Sequence, residues 1–361
     1  MKIVHIIYAG MGGHGDVVFP KIERDIKNEY FLLFIGIEGI FSNYIKICKR
    51  LNIKYYFIDY KKKITFYIKL IQILNLIRPK IIFLHTGHIF SLLSYKFFNY
   101  HVKLISFQHV SLNIKNIKNY FYDFFEFIFF DKVVFLTSTY RNKVCKKYKF
   151  ISLAKKSTII STGLNNFEVD LNKKTINRKK INIGMSTRFV KGKKILNLIH
   201  LIKYNYETLK LPLFLSIIGM GADSRNIKMT IKKFNLKEYI KLKSIVSENE
   251  LNKWNLDLSI YLHFSDGETA STSIIRALRA GTPVIASNVT GIKEMVRRKQ
   301  HINGYLVNDK NFHHILNLIK QVAYNKKLYK ELSENSLYIF KNNYSLNMSF
   351  KNYSKLIKLY E

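Results

Sequence analysis

Short apolar runs alternate with helical patterns along the first part of the chain. The runs Met1–Ala9, Tyr30–Gly36, Ile81–His85 and Lys103–Gln108 are bounded by glycine or polar residues, as buried parallel strands are. The segment Ile64–Ile77 lies between two of these runs, has helical spacing and ends before a proline. This alternation predicts a doubly wound α/β domain.

A second series of the same kind follows a polar segment. Residues 166–180 carry few apolar anchors, and alternation resumes with the run Ile181–Met185. A chain of 361 residues is long enough for two domains. We therefore predict an N-terminal domain over 1–165, a linker over 166–180 and a C-terminal domain over 181–340. Residues 341–361 are predicted to form a closing helix that packs back toward the N-terminal domain.

The composition adds a strong positive charge. A formal net charge of +36 favours an anionic partner, namely a nucleotide, a nucleic acid or an anionic membrane. The same charge also follows from the Lys-, Asn- and Ile-rich usage of an AT-rich genome, and composition leaves both explanations open. No nucleic-acid-binding motif occurs, so nucleic acid is not an expected partner.

Other features bear on the compartment. Cys48 and Cys145 are far apart and lack CxxC or histidine-rich neighbours, which argues against a zinc site and a disulfide framework. The N-terminal apolar run is too short for a signal peptide, and no apolar run reaches the ~18 residues of a spanning helix. We predict a cytoplasmic protein that contacts an anionic membrane peripherally, at the inner face of the plasma membrane.

The most informative stretch runs from Ser265 to Ser287. An apolar strand ends at His263, a loop with the carboxylate Glu268 follows, and a Ser/Thr-rich turn opens a helix. The free N–H groups and the dipole of a helix start form an anion site. A carboxylate before such a site can accept hydrogen bonds from sugar hydroxyls. An ordinary capped helix with a solvated glutamate explains the stretch equally well.

A second candidate site follows the run Ile181–Met185. Arg188, Lys191 and Lys193 form a basic loop. An arginine fork binds phosphate oxygens bidentately and lysine adds a point charge, so two such cations could hold a diphosphate without a metal ion. A basic loop in a lysine-rich chain is the alternative.

Taken in order, these segments resemble glycosyltransferase family 4. The resemblance is close over about 181–308 and looser over 1–165. It implies the GT-B fold, with two Rossmann-like doubly wound domains facing a central cleft. The motifs that carry it are Arg188…Lys193, Ile218-Gly219-Met220-Gly221, Ser265…Glu268, Gly281-Thr282-Pro283, Gly291…Glu294 and Asn303-Gly304.

The resemblance also implies roles for individual residues. Arg188 and Lys193 would neutralise the donor diphosphate, with Lys191 as the alternative lysine. Glu268 would contact the transferred sugar, and His109 matches a histidine that faces it. A strand-end histidine such as His85 is more often a core residue. The donor-binding candidates are Gly12, Gly13, Gly184, Lys191, Gly219, Gly221, Thr269, Ala270, Ser271, Thr272, Ser273 and Arg276.

Arg276 departs from the family pattern. The family has a second glutamate eight positions after the first, where it accepts hydrogen bonds from ribose hydroxyls, and arginine has donors only. We expect Arg276 to be a solvated helix residue rather than a catalyst.

The implied activity is retaining, metal-independent and cofactor-free transfer of a sugar from a nucleotide-diphosphate donor. The expected acceptor is a glycan or a polyprenyl-diphosphate-linked sugar, in O-antigen or capsule synthesis. A GT-B nucleotide-sugar epimerase, a non-catalytic scaffold and a basic nucleic-acid-binding protein are the alternatives.

Overall fold

The chain folds into two compact units. The computed structural model describes residues 1–8, 14–36, 42–59, 63–86, 89–172, 174–244 and 246–361. The first unit consists of Met1–Asn165 together with Leu346–Glu361, and the second unit is Asn166–Ser345.

The first unit contains a parallel sheet of seven strands in the order β3-β2-β1-β4-β5-β6-β7. Helices follow the strands in alternation. The strands are β1 Lys2–Tyr8, β2 Glu29–Ile35, β3 Lys54–Ile58, β4 Ile81–Leu84, β5 Lys103–Gln108, β6 Lys132–Phe135 and β7 Ser157–Ile159. The helices are α1 His14–Ile22, α2 Ser42–Arg50, α3 Lys63–Ile77, α4 Ile89–Phe98, α5 Ile117–Phe129, α6 Ser138–Lys147 and α7 Leu153–Lys156.

The central strands of this sheet are apolar along their whole length because both faces are covered. Every residue of β4 is buried, and β1 is buried from Ile3 to Ile7. Parallel sheets covered by helices on both faces produce such continuous apolar runs. Each strand therefore ends at a defined edge, where the loops that follow it carry polar residues.

The second unit contains a parallel sheet of six strands in the order β10-β9-β8-β11-β12-β15. A short antiparallel pair, β13 and β14, lies beside it. The strands are β8 Ile181–Ser186, β9 Leu213–Ile218, β10 Ile240–Lys243, β11 Ile260–His263, β12 Val284–Ser287, β13 Arg297–Arg298, β14 His301–Ile302 and β15 Gly304–Val307. The helices are α8 Ile195–Glu207, α9 Ser224–Lys233, α10 Glu248–Asp257, α11 Thr272–Arg279, α12 Thr290–Val296, α13 Phe312–Tyr324 and α14 Lys326–Ile339.

The segment 166–180 is anchored to the second unit. Lys174 Nζ donates to the carbonyl oxygen of Leu256 and to Thr282 Oγ1, both at 3.0 Å. The Arg279 guanidinium lies over the ring of Phe167, 4.6 Å from its centroid. Long charged side chains thus provide the contacts that the apolar pattern of this segment lacks.

The last helix, α15 (Leu346–Lys358), belongs to the first unit. Its residues Tyr353, Leu356 and Ile357 are buried there. The hydroxyl of Ser349 donates to the carbonyl oxygen of Ser161. The first unit is therefore assembled from both ends of the polypeptide.

The prediction of two doubly wound α/β domains is confirmed, since both large sheets are parallel and alternate with helices. Among the helices in the described ranges, none combines the length and apolarity needed to cross a membrane.

Candidate active site

The loop after β11 carries the predicted carboxylate, and two side chains hold it. The Lys193 ammonium forms an ion pair with Glu268 Oε1, and His263 Nε2 lies 2.9 Å from the same oxygen. The Glu268 side chain is only 11% exposed. Both contacts use Oε1, so the carboxylate is gripped on one side.

The electrostatics of this group fix its charge state. Burial by itself would raise the pKa of the Glu268 carboxyl, but the hydrogen bond from His263 and the charge of Lys193 lower that pKa to about 2. Burial lowers the pKa of His263 below its usual 6.5, although Glu268 opposes this effect. At neutral pH Glu268 is therefore an anion, and the neutral His263 donates its Nε2–H to it.

This tautomer leaves His263 Nδ1 as an acceptor. The atom is buried and has no hydrogen-bond partner among the described residues. His263 was not among the predicted site residues, although it ends the strand five positions before Glu268. Its place at the carboxyl end of a parallel strand was the available signal.

Lys194 joins the two loops on which Lys193 and Glu268 lie. Its ammonium lies 3.0 Å from Asp266 and 2.9 Å from Asp309. Asp309 is buried and also accepts from Ser287 Oγ at 2.7 Å and from Asn197 at 3.0 Å. The sequence analysis missed this network because Asp309 follows β15, more than forty residues beyond the loop that it fixes.

Close backbone packing holds the loop that carries Arg188. Phe189 N–H donates to the Met220 carbonyl oxygen at 2.9 Å, so the loops after β8 and β9 pair. A Cβ atom at Gly221 would lie 2.8 Å from the carbonyl carbon of Phe189, and one at Gly219 would overlap the carbonyl oxygen of Thr187. Both glycines are thus required for the packing of these two loops.

The cations of this loop differ in exposure. Arg188 and Lys191 are exposed, whereas Lys193 is half-buried against Glu268. Arg188 follows β8 and Glu268 follows β11, and these strands are neighbours in one parallel sheet. The two residues therefore belong to the same edge of the sheet.

The Ser/Thr-rich turn forms the start of α11, as the pattern predicts. Ser271 is the N-cap, and its hydroxyl accepts from the Ile274 N–H at 3.4 Å. Thr269 is buried, while Ala270, Thr272 and Ser273 are half-buried. Ser271 is therefore engaged in capping the helix, and the first turn of α11, whose N–H groups have no carbonyl partner within the helix, follows Glu268 closely in the chain.

Arg276 is not the solvated residue that we expected. Its side chain is 13% exposed and forms a two-pronged ion pair with Glu248, at 3.3 and 3.0 Å. The Arg279 guanidinium binds the same carboxylate at 3.1 Å. The reason is that α10 packs beside α11 and brings its first residue, Glu248, next to both arginines.

Four further residues were predicted to belong to the site, and the structure describes two of them, Gly184 and His109. Gly184 is buried within β8, and a Cβ atom there would lie 2.5 Å from the ring of Trp254. His109 follows β5 in the first unit and bonds through Nε2 to His85 Nδ1 at 3.0 Å. Gly12 and Gly13 lie outside the described residues.

Comparison with known proteins identifies the type of enzyme. Residues 166–337 match the family model described as glycosyl transferases group 1. An uncharacterized glycosyltransferase of Methanocaldococcus jannaschii is 27% identical over 289 residues, which is 75% of this chain and 71% of the relative.

Solved structures match over almost the whole chain. Anabaena HepE in complex with UDP and glucose has a TM-score of 0.81 at 12% identity, with 99% of each chain covered. S. aureus TarM, in a complex that includes UDP, has a TM-score of 0.78 at 15% identity and the same coverage. The lipopolysaccharide outer core galactosyltransferase WaaB has a TM-score of 0.73 at 17% identity, again with 99% of each chain covered. These matches confirm the predicted GT-B fold. The family model and the archaeal relative indicate that the chain is a glycosyltransferase.

Proposed function

We propose that this glycosyltransferase moves a hexose from a nucleoside-diphosphate donor, of the uridine class, onto a glycan or polyprenyl-diphosphate-linked acceptor. The observation that carries the proposal is the cluster of Glu268, Lys193 and His263 beside the start of α11. The uridine class is chosen because HepE has been crystallised with UDP-glucose and TarM with UDP.

Arg188 and the first turn of α11 are assigned to the diphosphate. Arg188 is exposed, so its guanidinium can bind an anion without first breaking a buried ion pair. The N–H groups of the first helical turn supply further donors and a partial positive charge. As the nucleoside diphosphate departs, negative charge grows on its oxygens, and preorganised donors stabilise that charge.

Glu268 is assigned to the sugar. The carboxylate is ionised because its pKa is held at about 2, so it can only accept hydrogen bonds. Lys193 and His263 occupy Oε1, and we assign Oε2 to the hydroxyls of the hexose. We assign Lys193 to two anions, the Glu268 carboxylate that it already contacts and the donor phosphates. This role favours Lys193 over Lys191.

We further propose that transfer retains the anomeric configuration and needs no metal ion or cofactor. The two cations Arg188 and Lys193 take the charge-neutralising role that a divalent ion has in other phosphate sites. Within the described ranges, no group of three His, Cys, Asp or Glu side chains is arranged to hold a metal ion. A chelator should therefore leave the initial rate unchanged, and inhibition that added divalent metal reverses would contradict this proposal.

The proposal is tested by nucleotide release. The protein is incubated with each of a panel of nucleotide sugars and with lipid-linked or oligosaccharide acceptors, and free nucleotide is measured. Acceptor-dependent UDP release with an unchanged anomeric configuration in the product supports the proposal. Conversion of the donor alone, seen by NMR without acceptor, would indicate an epimerase and overturn it.

A surface of the first unit supports the proposed membrane contact. The aromatic run 120–130 is divided between the core and the surface, and Phe127 and Phe130 are its buried phenylalanines. In contrast, Ile117, Phe121 and Phe124 are exposed along one face of α5.

A further exposed aromatic residue and several exposed lysines accompany this apolar face. Phe150 is 69% exposed, and its ring lies 6.5 Å from that of Phe124. Lys118, Lys146, Lys147 and Lys149 are exposed nearby in the sequence or in the fold. Exposed aromatic residues flanked by lysines favour an anionic bilayer, at about 1 kcal/mol for each lysine near its surface.

Flotation with vesicles tests this contact. The protein should float with vesicles rich in phosphatidylglycerol, and the Phe121→Ser, Phe150→Ser double variant should not. Ile26→Ser, at a 92% exposed apolar residue elsewhere on the same unit, is the matched control. Equal flotation of all three proteins would refute the proposed surface.

A further inference from the structure

Three histidines of the first unit form a continuous hydrogen-bonded row. His109 follows β5, His85 follows β4 and His5 lies in β1, and these three strands are adjacent in the sheet. His109 Nε2 lies 3.0 Å from His85 Nδ1, and His85 Nε2 lies 3.1 Å from His5 Nδ1. His5 and His85 are buried, whereas His109 is half-exposed. The row therefore leads from the edge of the sheet into its interior.

The row of contacts continues from His5 to Asp25. His5 Nε2 lies 2.9 Å from the hydroxyl of Tyr353 on α15, and Tyr353 donates to the Tyr30 hydroxyl at 3.4 Å. Tyr30 in turn donates to Asp25 Oδ2 at 2.6 Å. Asp25 also accepts from the side-chain amide of Asn28 at 2.9 Å. One chain of contacts thus joins His109 to a half-exposed carboxylate.

Three groups of this chain, His5, Tyr353 and Tyr30, keep their neutral forms at neutral pH. Burial, reinforced by the charge of Lys21, lowers the pKa of His5 to about 3. Burial raises the pKa of Tyr353 and of Tyr30 above the usual value for a phenol. Each hydroxyl and each neutral imidazole therefore has one proton to donate, together with a lone pair that accepts.

Because each hydroxyl and each neutral imidazole has one proton to donate, the Asp25 carboxylate determines the direction of every hydrogen bond in the row. A carboxylate can only accept, so the single proton of Tyr30 points to Asp25 and the Tyr30 oxygen accepts from Tyr353. The Tyr353 oxygen must then accept the Nε2–H of His5. This leaves His5 Nδ1 as an acceptor, which requires a proton on His85 Nε2.

The same reasoning applies to the hydrogen bond between His85 and His109. His85 Nδ1 is then an acceptor and requires a proton on His109 Nε2. If any member were reversed, two N–H groups or two lone pairs would face each other in the interior, which folded proteins avoid. The orientation that Asp25 sets is therefore transmitted across three strands.

We propose that Asp25, Tyr30, Tyr353, His5 and His85 act as positioning residues that hold the neutral form of His109 in its Nε2–H tautomer. His109 Nδ1 then carries the lone pair and can only accept a hydrogen bond. For a contact with substrate, this selects a hydroxyl donor such as that of a sugar, a consequence that rests on the proposed function. The tautomer itself does not rest on it.

The experiment is an NMR measurement on the full chain labelled with ¹⁵N in its histidine rings. Long-range ¹H–¹⁵N correlations show which ring nitrogen carries the proton, and His109→Gln identifies the His109 signals. We expect the Nε2–H pattern for His109 in the wild-type protein. In Tyr353→Phe and in Asp25→Ala we expect a mixture of both His109 tautomers. Asp25 is the more stringent test because it is the member of the row farthest from His109.

Tyr95→Phe is the matched control. Tyr95 is also a buried tyrosine of the first unit, and its hydroxyl donates to the Leu74 carbonyl oxygen at 3.1 Å without joining the histidine row. Its removal should leave the His109 pattern unchanged. An Nδ1–H pattern in the wild-type protein, or an unchanged pattern in both Tyr353→Phe and Asp25→Ala, would overturn the proposal.

Measurements of kcat test separately whether His109, once its tautomer is fixed by the row, contacts the sugar. Partners that orient metal-bound histidines contribute roughly 10- to 100-fold to affinity or activity. We expect kcat to fall about 10-fold in Tyr353→Phe, with the KM for the donor nearly unchanged. If Tyr353→Phe changed the His109 tautomer but left kcat unchanged, the positioning role of the row would be supported and the proposed contact of His109 with the sugar would be refuted.

Discussion

Replacing Gly291 with alanine should displace the loop that carries Glu268. Gly291 is the second residue of α12 and packs directly on that loop. An added Cβ atom would lie 2.6 Å from the carbonyl carbon of Glu268 and 2.6 Å from that of Thr269, and it would overlap the Glu268 carbonyl oxygen. Because these neighbours are backbone atoms, rotation of a side chain cannot relieve the overlap.

The magnitude follows from this geometry. Relieving the overlap requires the loop and α12 to separate by about 1 Å. Overpacking of this kind typically costs about 1–3 kcal/mol of the free energy of unfolding. Misplacing a reacting group by about 1 Å can lower turnover by roughly 10²-fold. We therefore expect Gly291→Ala to lose both stability and activity, with the larger loss in kcat.

The chain offers a specific probe and a matched control. Trp254 is the only tryptophan and is buried in the second unit, so its fluorescence during urea unfolding reports on that unit. Gly192→Ala is the stability control, because a Cβ atom there would meet only Asp266 Oδ2, at 3.7 Å, among the described atoms. Equal unfolding free energies for the two variants, together with normal turnover in Gly291→Ala, would refute the reasoning.

Three other changes have definite expected outcomes. Arg188→Ala should lower kcat by roughly 10²-fold or more in the nucleotide-release assay without altering unfolding, because the side chain is exposed; near-normal turnover would remove its assignment. Arg276→Glu should retain transfer but lose stability in urea, because the new carboxylate would face Glu248; complete loss of activity would show an essential task. Burial lowers the pKa of Lys21 to about 7, so the unfolded chain binds this proton more tightly and the unfolding free energy should rise from pH 7 to pH 10. Lys21→Met should flatten that rise in unfolding followed by circular dichroism, and an equal rise in both proteins would contradict the explanation.

Local patterns were sufficient to predict the two parallel sheets. Buried strands such as Ile81–Leu84 are uninterrupted apolar runs, and polar residues or a glycine mark where they end. The loop with Glu268 was also predictable, because a carboxylate between a strand and a capped helix has a local pattern. These features depend on residues that are neighbours in the sequence.

The contacts within the site depend on residues that are distant in the sequence. Lys193 and Glu268 were each singled out, but their ion pair depends on the order of β8 and β11 in the sheet. The partner of Arg276 could not be predicted, because nothing local to either helix indicates that α10 brings Glu248 beside it. The histidine row was missed for the same reason, since His5 and Tyr353 lie near opposite ends of the chain.

The first unit is built from two separate segments of the chain, and this affects how the protein folds during its synthesis. All seven strands of its sheet have been synthesised once Ile159 has been added, but α15 follows the whole of the second unit. Domains usually fold in the order of their synthesis, but the interior of the N-terminal unit is complete only when Tyr353, Leu356 and Ile357 are present. A polypeptide that stops before Leu346 would contain every residue of the second unit and still expose unfilled apolar surface on the first. Such a product would be a target for chaperones and proteases.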